Sequence, residues 1–314
     1  MSAALSAEQA RVLGKGPFPD YPFTPKSFVH PSGLAQSYLD EGNGEPVLML
    51  HGNPSWSYYW RKLVLGLRDR YRCIVPDHIG MGLSDKPDDS RYAYTLQSRV
   101  DDLDRLLDSL KLGDELTLAV HDWGGMIGFG WALQHSARVR RLVVLNTAAF
   151  PLPKAKAMPW QLTLGRDSRL GAGLIRGFNA FSDGATRFGV MKTMPPPVRD
   201  AYNAPYDSWA NRISTLRFVQ DIPLSPKDRG WSLVEAAGAK LPSYADRPAL
   251  IGWGLKDFVF DQRFLEVFQR ALPQAEQHVF ADASHYVLED KADVLVPAIR
   301  KFLDSHPLPG GTGA

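Results

Sequence analysis

Residues 116–130 read LTLAVHDWGGMIGFG, and this stretch decides the fold. Leu116 to Val120 is an apolar run without polar alternation, the pattern of a strand buried on both faces. His121, Asp122 and Trp123 break the run. Gly124 and Gly125 then open a segment whose apolar residues Met126, Ile127, Phe129, Trp131 and Leu133 continue as a buried helix. Strand, sharp turn, small residues and helix make the layout of a nucleophile elbow, which holds one side chain at a tight bend. Serine is the usual occupant, and here the position is Asp122. Aspartate is also a favourable helix N-cap, but the glycine pair and the buried flanks favour the elbow.

The surrounding chain supplies a frame for such an elbow. Phe28 to His30 and Ala35 to Asp40 read as an antiparallel edge pair joined by Pro31–Ser32–Gly33. Pro46 to Leu50 and Tyr71 to Val75 read as buried strands, with a helix starting near Ser55 between them. From Leu96 to Leu112, Val100, Leu103, Leu106, Leu107 and Leu110 fall at helical spacing between charged residues. Arg141 to Leu145 is a strand. The rhythm breaks between about residues 150 and 246, a proline-rich stretch with aromatic anchors Trp160, Phe178, Phe181, Trp209 and Trp231, expected to be a helical cap. Ala249 to Trp253, Gln262 to Leu272, His278 to Phe280 and Val294 to Leu303 then resume as strand, helix, strand, helix. Alternating strands and helices predict an α/β fold, a mainly parallel, doubly wound sheet carrying its ligands at the carboxyl ends of the strands. The expected division is an arm at 1–26, a core at 27–149 and 247–305, the cap at 150–246, and a disordered tail at 306–314. Residues 14 to 25 also read as loose.

Composition narrows the classes. In 314 residues, Lys+Arg 36 against Asp+Glu 34 leaves a net charge of +2, too balanced to argue for a nucleic-acid partner. The single cysteine, Cys73, sits in a strand-like run and reads as a buried thiol, so no disulfide framework is expected. No stretch has the roughly 18 apolar residues of a membrane span, and the first residues lack a signal-peptide core, so a cytoplasmic protein is expected.

The candidate chemistry lies just after the strands. Asp257 follows Ala249 to Trp253, and His285 follows His278 to Phe280. The order Asp122, Asp257, His285 is nucleophile, acid, base, the order of α/β-hydrolases. Histidine exchanges protons near neutral pH, and a buried carboxylate orients it. Asp257 is otherwise an ordinary turn residue, and Asp261 is the alternative acid. His30, His78, His121, His135, His278 and His306 lack this context and read as structural, with no metal-ligand spacing among them. HGNP at 51–54 follows a strand where this fold builds its oxyanion hole, so the Asn53 amide and the Trp123 indole N–H form a candidate cradle for an anion. Trp123 is otherwise packing. Asp77, Gly80, Gly82, Ser84 and Asp85 read as a loop-shaping set without a phosphate-binding layout.

HGNP, DHIGMGLSDKP, VHDWGG and the late Asp257 and His285 together resemble the haloalkane dehalogenase branch of the α/β-hydrolase superfamily, from about residue 27 to 303. The resemblance implies an aspartate that displaces halide from carbon, a histidine that activates water on the ester, and a halide held by Trp123 and Asn53. Related epoxide hydrolases usually place an aromatic where Asn53 stands. Members drawing the acid from the strand before the cap would carry glutamate near Asn146, which favours Asp257. HGNPSWSYYWR, CIVPDHIGMGLSDKPDD, YTLQSRVDDLDRLL, LAVHDWGGMIGFGWAL and the cap stretch NRISTLRFVQDIPLSP are more closely similar to the β-lactone decarboxylase family of bacterial long-chain olefin biosynthesis. That likeness implies conversion of long-chain cis-3,4-dialkyl-β-lactones to cis-alkenes and carbon dioxide, with no cofactor. It also implies a possible complex with a β-lactone synthetase and a reductase. Haloalkane dehalogenase activity and a non-catalytic ligand-binding role are the alternatives.

Overall fold

A computed structural model of the chain describes residues 5–154 and 156–308. Eight strands form one sheet: β1 (Lys26–Val29), β2 (Ala35–Glu41), β3 (Glu45–Leu50), β4 (Tyr71–Pro76), β5 (Leu116–Asp122), β6 (Val139–Thr147), β7 (Ala249–Gly254) and β8 (Glu276–Phe280). Their spatial order is β1-β2-β4-β3-β5-β6-β7-β8. β1 and β2 pair antiparallel at one edge, β2 meets β4 antiparallel, and every other neighbouring pair is parallel.

The helices follow in chain order. They are α1 (Ala7–Leu13), α2 (Arg61–Leu67), α3 (Leu96–Ser109), α4 (Trp123–His135), α5 (Trp160–Asp167), α6 (Arg169–Phe178) and α7 (Ala180–Phe188). Then come α8 (Pro196–Asn203), α9 (Ile213–Gln220), α10 (Trp231–Lys240), α11 (Gln262–Ala271), α12 (Val287–Asp290) and α13 (Ala292–Ser305). The period-2 alternation of a strand sorts the sheet's side chains into two cores. Leu48, Leu50, Ile74, Leu118, Val120 and Val144 share one cluster with side chains of α3, α4 and α11. Val47, Met49, Cys73, Val75, Ala119 and Val143 share the other with those of α2 and α13. A sheet covered on both faces explains the unbroken apolar runs of its central strands. Within the stretch 150–246, α10 packs against α4 and contributes Val234 and Ala237 to the first of these cores.

Four local readings are corrected. The helix expected near Ser55 begins as a 3-10 turn at Ser57–Trp60 and becomes α-helical only at Arg61. Residues 14 to 25 are not loose. Tyr21 and Phe23 are buried, and the Tyr21 hydroxyl lies 2.8 Å from Ser57 Oγ. α1 ahead of them is closed by a capping box between Ser6 and Gln9. Of the expected tail, Leu308 is buried and its N–H donates to Glu45 Oε1 at 3.0 Å; residues 309–314 lie outside the described residues. Trp160, Phe178 and Trp209, taken as anchors, are exposed, while Phe181 and Trp231 are half-buried. Composition records that the stretch 150–246 is rich in aromatic residues, but short helices leave open which of them turn inward.

Candidate active site

β5 ends on Asp122 and α4 begins on the next residue. At the junction Asp122 has φ 52° and ψ −128°, a backbone state that L-residues rarely hold unless their surroundings enforce it. The Asp122 side chain makes no capping hydrogen bond to α4, so the N-cap reading does not apply. The small residues beside it are required by close approach. A Cβ at Gly124 would collide with the Leu50 carbonyl at the end of β3, and one at Gly52 would collide with the Asp122 carboxylate. The same contact brings the turn after β3 to the elbow, where the Asn53 backbone N–H donates to Asp122 Oδ1 at 2.5 Å. Thr147 Oγ1, at the end of β6, donates to the Asp122 carbonyl.

His285 stands in the loop after β8. Its Nδ1 is 2.9 Å from Asp257 Oδ2, and its Nε2 is 3.7 Å from Asp122 Oδ2. Phe260 stacks on the imidazole with ring centroids 5.8 Å apart. Asp257, in the loop after β7, is fully engaged. Its Oδ1 accepts the N–H groups of Val259 (2.8 Å) and Phe260 (3.1 Å), and its Oδ2 also accepts Asn146 Nδ2 at 3.1 Å. A carboxylate held at four points cannot swing, so it fixes the ring it faces. Asp261 is elsewhere. It caps α11 through the Arg263 N–H and pairs with Lys156.

Burial raises the pKa of Asp122 above the ordinary carboxylate value, against the opposing pull of His285 and the backbone N–H groups of Trp123 and Asn53. For His285, burial alone would lower the pKa, but Asp257 and Asp122 outweigh it and the net shift is upward. Asp257 and Asp122 thus favour the imidazolium form of His285, while burial works against the ionised form of Asp122.

Asn53, Asp122, Trp123 and His285 all line one cavity of about 430 Å³. Its remaining wall is mostly apolar, with Met126, Phe150, Phe181, Ile222, Phe258 and Phe264 among the lining residues. No protein acceptor meets the Trp123 indole N–H among the described residues, so this donor is open to a ligand. Asn53 lines the cavity with one of its two amide hydrogens already committed to the protein. Its Nδ2 donates to the Thr215 carbonyl of α9 at 3.0 Å, its Oδ1 is buried without a partner among the described residues, and its backbone N–H is the group that meets Asp122.

Three further residues support the constellation. Asn146, at the end of β6, grips both Asp257 and the Gly254 backbone. His121 lies beneath the site with Nε2 2.8 Å from the His285 carbonyl, stacked on Tyr59. Arg99 on α3 is fully buried, with its guanidinium carbon 3.7 Å from the Phe218 ring centroid and 5.4 Å from that of Trp123. Its one carboxylate partner is Asp221, at 2.9 Å. A polar residue ending an apolar strand was the only local signal for Asn146. The Asp77 loop does the work expected of it: the Asp77 carboxylate accepts the N–H groups of Ser57 and Leu83.

The profile of the α/β-hydrolase-fold family matches residues 45–292. A cis-3-alkyl-4-alkyloxetan-2-one decarboxylase of Xanthomonas campestris is 66% identical over 298 residues, which cover 93% of this chain and 99% of that one. A protein of the same name from Shewanella oneidensis is 55% identical over 279 residues, 88% of each chain. The crystal structure of haloalkane dehalogenase DbeA from Bradyrhizobium elkani superposes with a TM-score of 0.81 at 25% identity, over 90% of this chain and 98% of that one.

Proposed function

The chain belongs to the α/β-hydrolase-fold family, and we propose that it is a β-lactone decarboxylase, converting cis-3,4-dialkyl-β-lactones to cis-alkenes and carbon dioxide with Asp122 as nucleophile. The observation that carries this reading is the relationship to the Xanthomonas decarboxylase along nearly the whole chain. An aspartate elbow facing an apolar cavity suits such a substrate.

The reaction can be written with all electrons placed. Asp122 Oδ2 attacks C4, the alkyl carbon bearing the ring oxygen, while Oδ1 stays held by the Asn53 N–H. The C4–O bond breaks, its electrons pass to oxygen, and an alkyl-aspartate ester with a free carboxylate on C3 results. The Trp123 N–H, on a side chain that lines the cavity, stabilises that carboxylate. The carboxylate then leaves as carbon dioxide. Its C–C electrons form the C3=C4 double bond and expel the Asp122 carboxylate, whose returning charge is met by His285. Inversion at C4 followed by anti departure keeps the two alkyl groups on one side, so a cis-lactone gives a cis-alkene. No water and no net proton are consumed. His285, oriented by Asp257, acts as a positive counter-group rather than as the base that hydrolysis requires.

The reading includes a long-chain, lipid-like substrate, a place in bacterial olefin biosynthesis, a cytoplasmic setting, and assembly with a β-lactone synthetase and a reductase. The motif resemblance supports the long-chain substrate, the pathway and the assembly, and co-purification from cells expressing all three proteins tests the last. The substrate assignment is tested by comparing kcat/KM for a defined cis-β-lactone and for a long-chain alkyl halide. Lactone turnover is expected to dominate; halide release without lactone turnover would reverse the assignment to a dehalogenase.

A further inference from the structure

We propose that the outer face of α5–α7 docks on an anionic lipid bilayer and that substrate enters the catalytic cavity from that surface; the entry step rests on the lipid-like substrate proposed above. α6 carries the main observation. Leu170, Leu174 and Phe178 recur every four residues and form one stripe, while Gly171 and Ile175 take the buried side. The stripe faces solvent: Leu170 is 66% exposed and Phe178 79%. α5 and α7 both pack against α6, and these neighbours add Trp160 at 70% and Phe188 at 73% exposure. Monomeric proteins seldom leave so many large apolar side chains together in water without a use for them.

The patch is continuous with the site. Phe188 lines the catalytic cavity and is largely exposed, so it stands at the mouth, as does Phe258. Trp160 directly follows Pro159, another lining residue. An occupant of this face would therefore cover the entrance.

Charge decides which occupant fits. Residues 150–246 hold thirteen Lys and Arg against eight Asp and Glu, in a chain whose overall balance is only +2. Arg169 makes no ion pair among the described residues, and the Arg176 guanidinium lies over the exposed Trp209 ring at 4.6 Å. Apolar and aromatic side chains flanked by unpaired basic groups match the interface of an anionic membrane, where rings enter the headgroup region and arginines meet phosphate. No helix among the described residues is long and apolar enough to cross a bilayer, so the contact lies on the surface.

The test is co-sedimentation of the full chain with phosphatidylethanolamine–phosphatidylglycerol vesicles, beside neutral phosphatidylcholine vesicles. The variant Leu170→Gln/Leu174→Gln/Phe178→Gln changes the stripe without touching the cavity lining, and circular dichroism checks its fold. The wild type is expected to sediment with anionic vesicles, less with neutral ones and less in high salt. The triple variant should bind at least about tenfold more weakly, with turnover of a detergent-dispersed cis-β-lactone unchanged. Failure of the wild type to bind vesicles, or equal binding by the variant, would overturn the proposal. So would wild-type self-association abolished by the same substitutions in the absence of vesicle binding, which would make the face a protein interface. Vesicle binding without lactone turnover would support docking and overturn the substrate assignment alone.

Discussion

His285 Nε2 lies 3.7 Å from Asp122 Oδ2, beyond hydrogen-bonding distance, while its Nδ1 is bound to Asp257 at 2.9 Å. The imidazole is therefore tied to Asp257 and not to Asp122. Asp122 is oriented instead by the backbone N–H of Asn53 on Oδ1, which leaves Oδ2 open to carbon.

The first consequence concerns pH. The flanking carboxylates raise the His285 pKa above its ordinary value despite burial. A raised histidine contributes stability that is fully present below its ordinary pKa of about 6.5 and is lost as pH rises through the folded value. The unfolding free energy lost on His285→Gln, measured in urea, should accordingly be larger at pH 5.5 than at pH 9. A difference that grows with pH would contradict the assigned direction.

Asp122 should act in the opposite sense on stability. Burial holds its pKa above the ordinary value, so the ionised side chain destabilises the fold at neutral pH. Asp122→Asn keeps the size and an acceptor for the Asn53 N–H while removing the charge. It is expected to gain about 1–2 kcal/mol in urea unfolding at pH 7 while losing activity. A clear loss of stability would show that the carboxylate is held more favourably than burial implies.

Asn146 should affect turnover through Asp257. Its Nδ2 donates to both Asp257 and the Gly254 carbonyl, so Asn146→Ala removes one of four bonds to the acid. A loss of about 1–3 kcal/mol in stability is expected. Turnover should fall about 10- to 100-fold, chiefly in kcat, because the cavity wall is untouched. A change confined to KM would exclude the positioning role.

Arg99 links α3 to the end of α9 behind Trp123. Arg99→Met leaves the partly buried Asp221 without its ion-pair partner, and a cost of about 1–3 kcal/mol is expected. Arg99→Met/Asp221→Leu should recover most of that loss. If the double variant were as unstable as the single one, the pair would not be the source of the effect.

Which of these relationships a sequence can display depends on the range of the interaction. The elbow was legible because an apolar strand, Asp122 and the glycine pair are consecutive, and local steric demands leave local traces. Asp257 and His285 were legible because strand ends in such a sheet are few. Asn53 was read by position, yet its amide is turned by the Thr215 carbonyl, 162 residues away. The grip of Asn146 on Asp257 spans 111 residues, and the Arg99–Asp221 pair spans 122. No periodicity encodes such meetings. The arm was misread for the opposite reason: proline-rich composition suggested looseness, although Ser6 and Gln9 carry the local pattern of a helix cap.

The central claim is that Asp122 opens a cis-β-lactone at carbon and releases carbon dioxide without water. It is tested most directly by quantifying products from a defined cis-3,4-dialkyl-β-lactone with wild type and Asp122→Asn. Equal amounts of cis-alkene and carbon dioxide are expected from the wild type, with no β-hydroxy acid, and a rate at least about 10³-fold lower for the variant. β-Hydroxy acid as the main product, or undiminished alkene formation by Asp122→Asn, would contradict it.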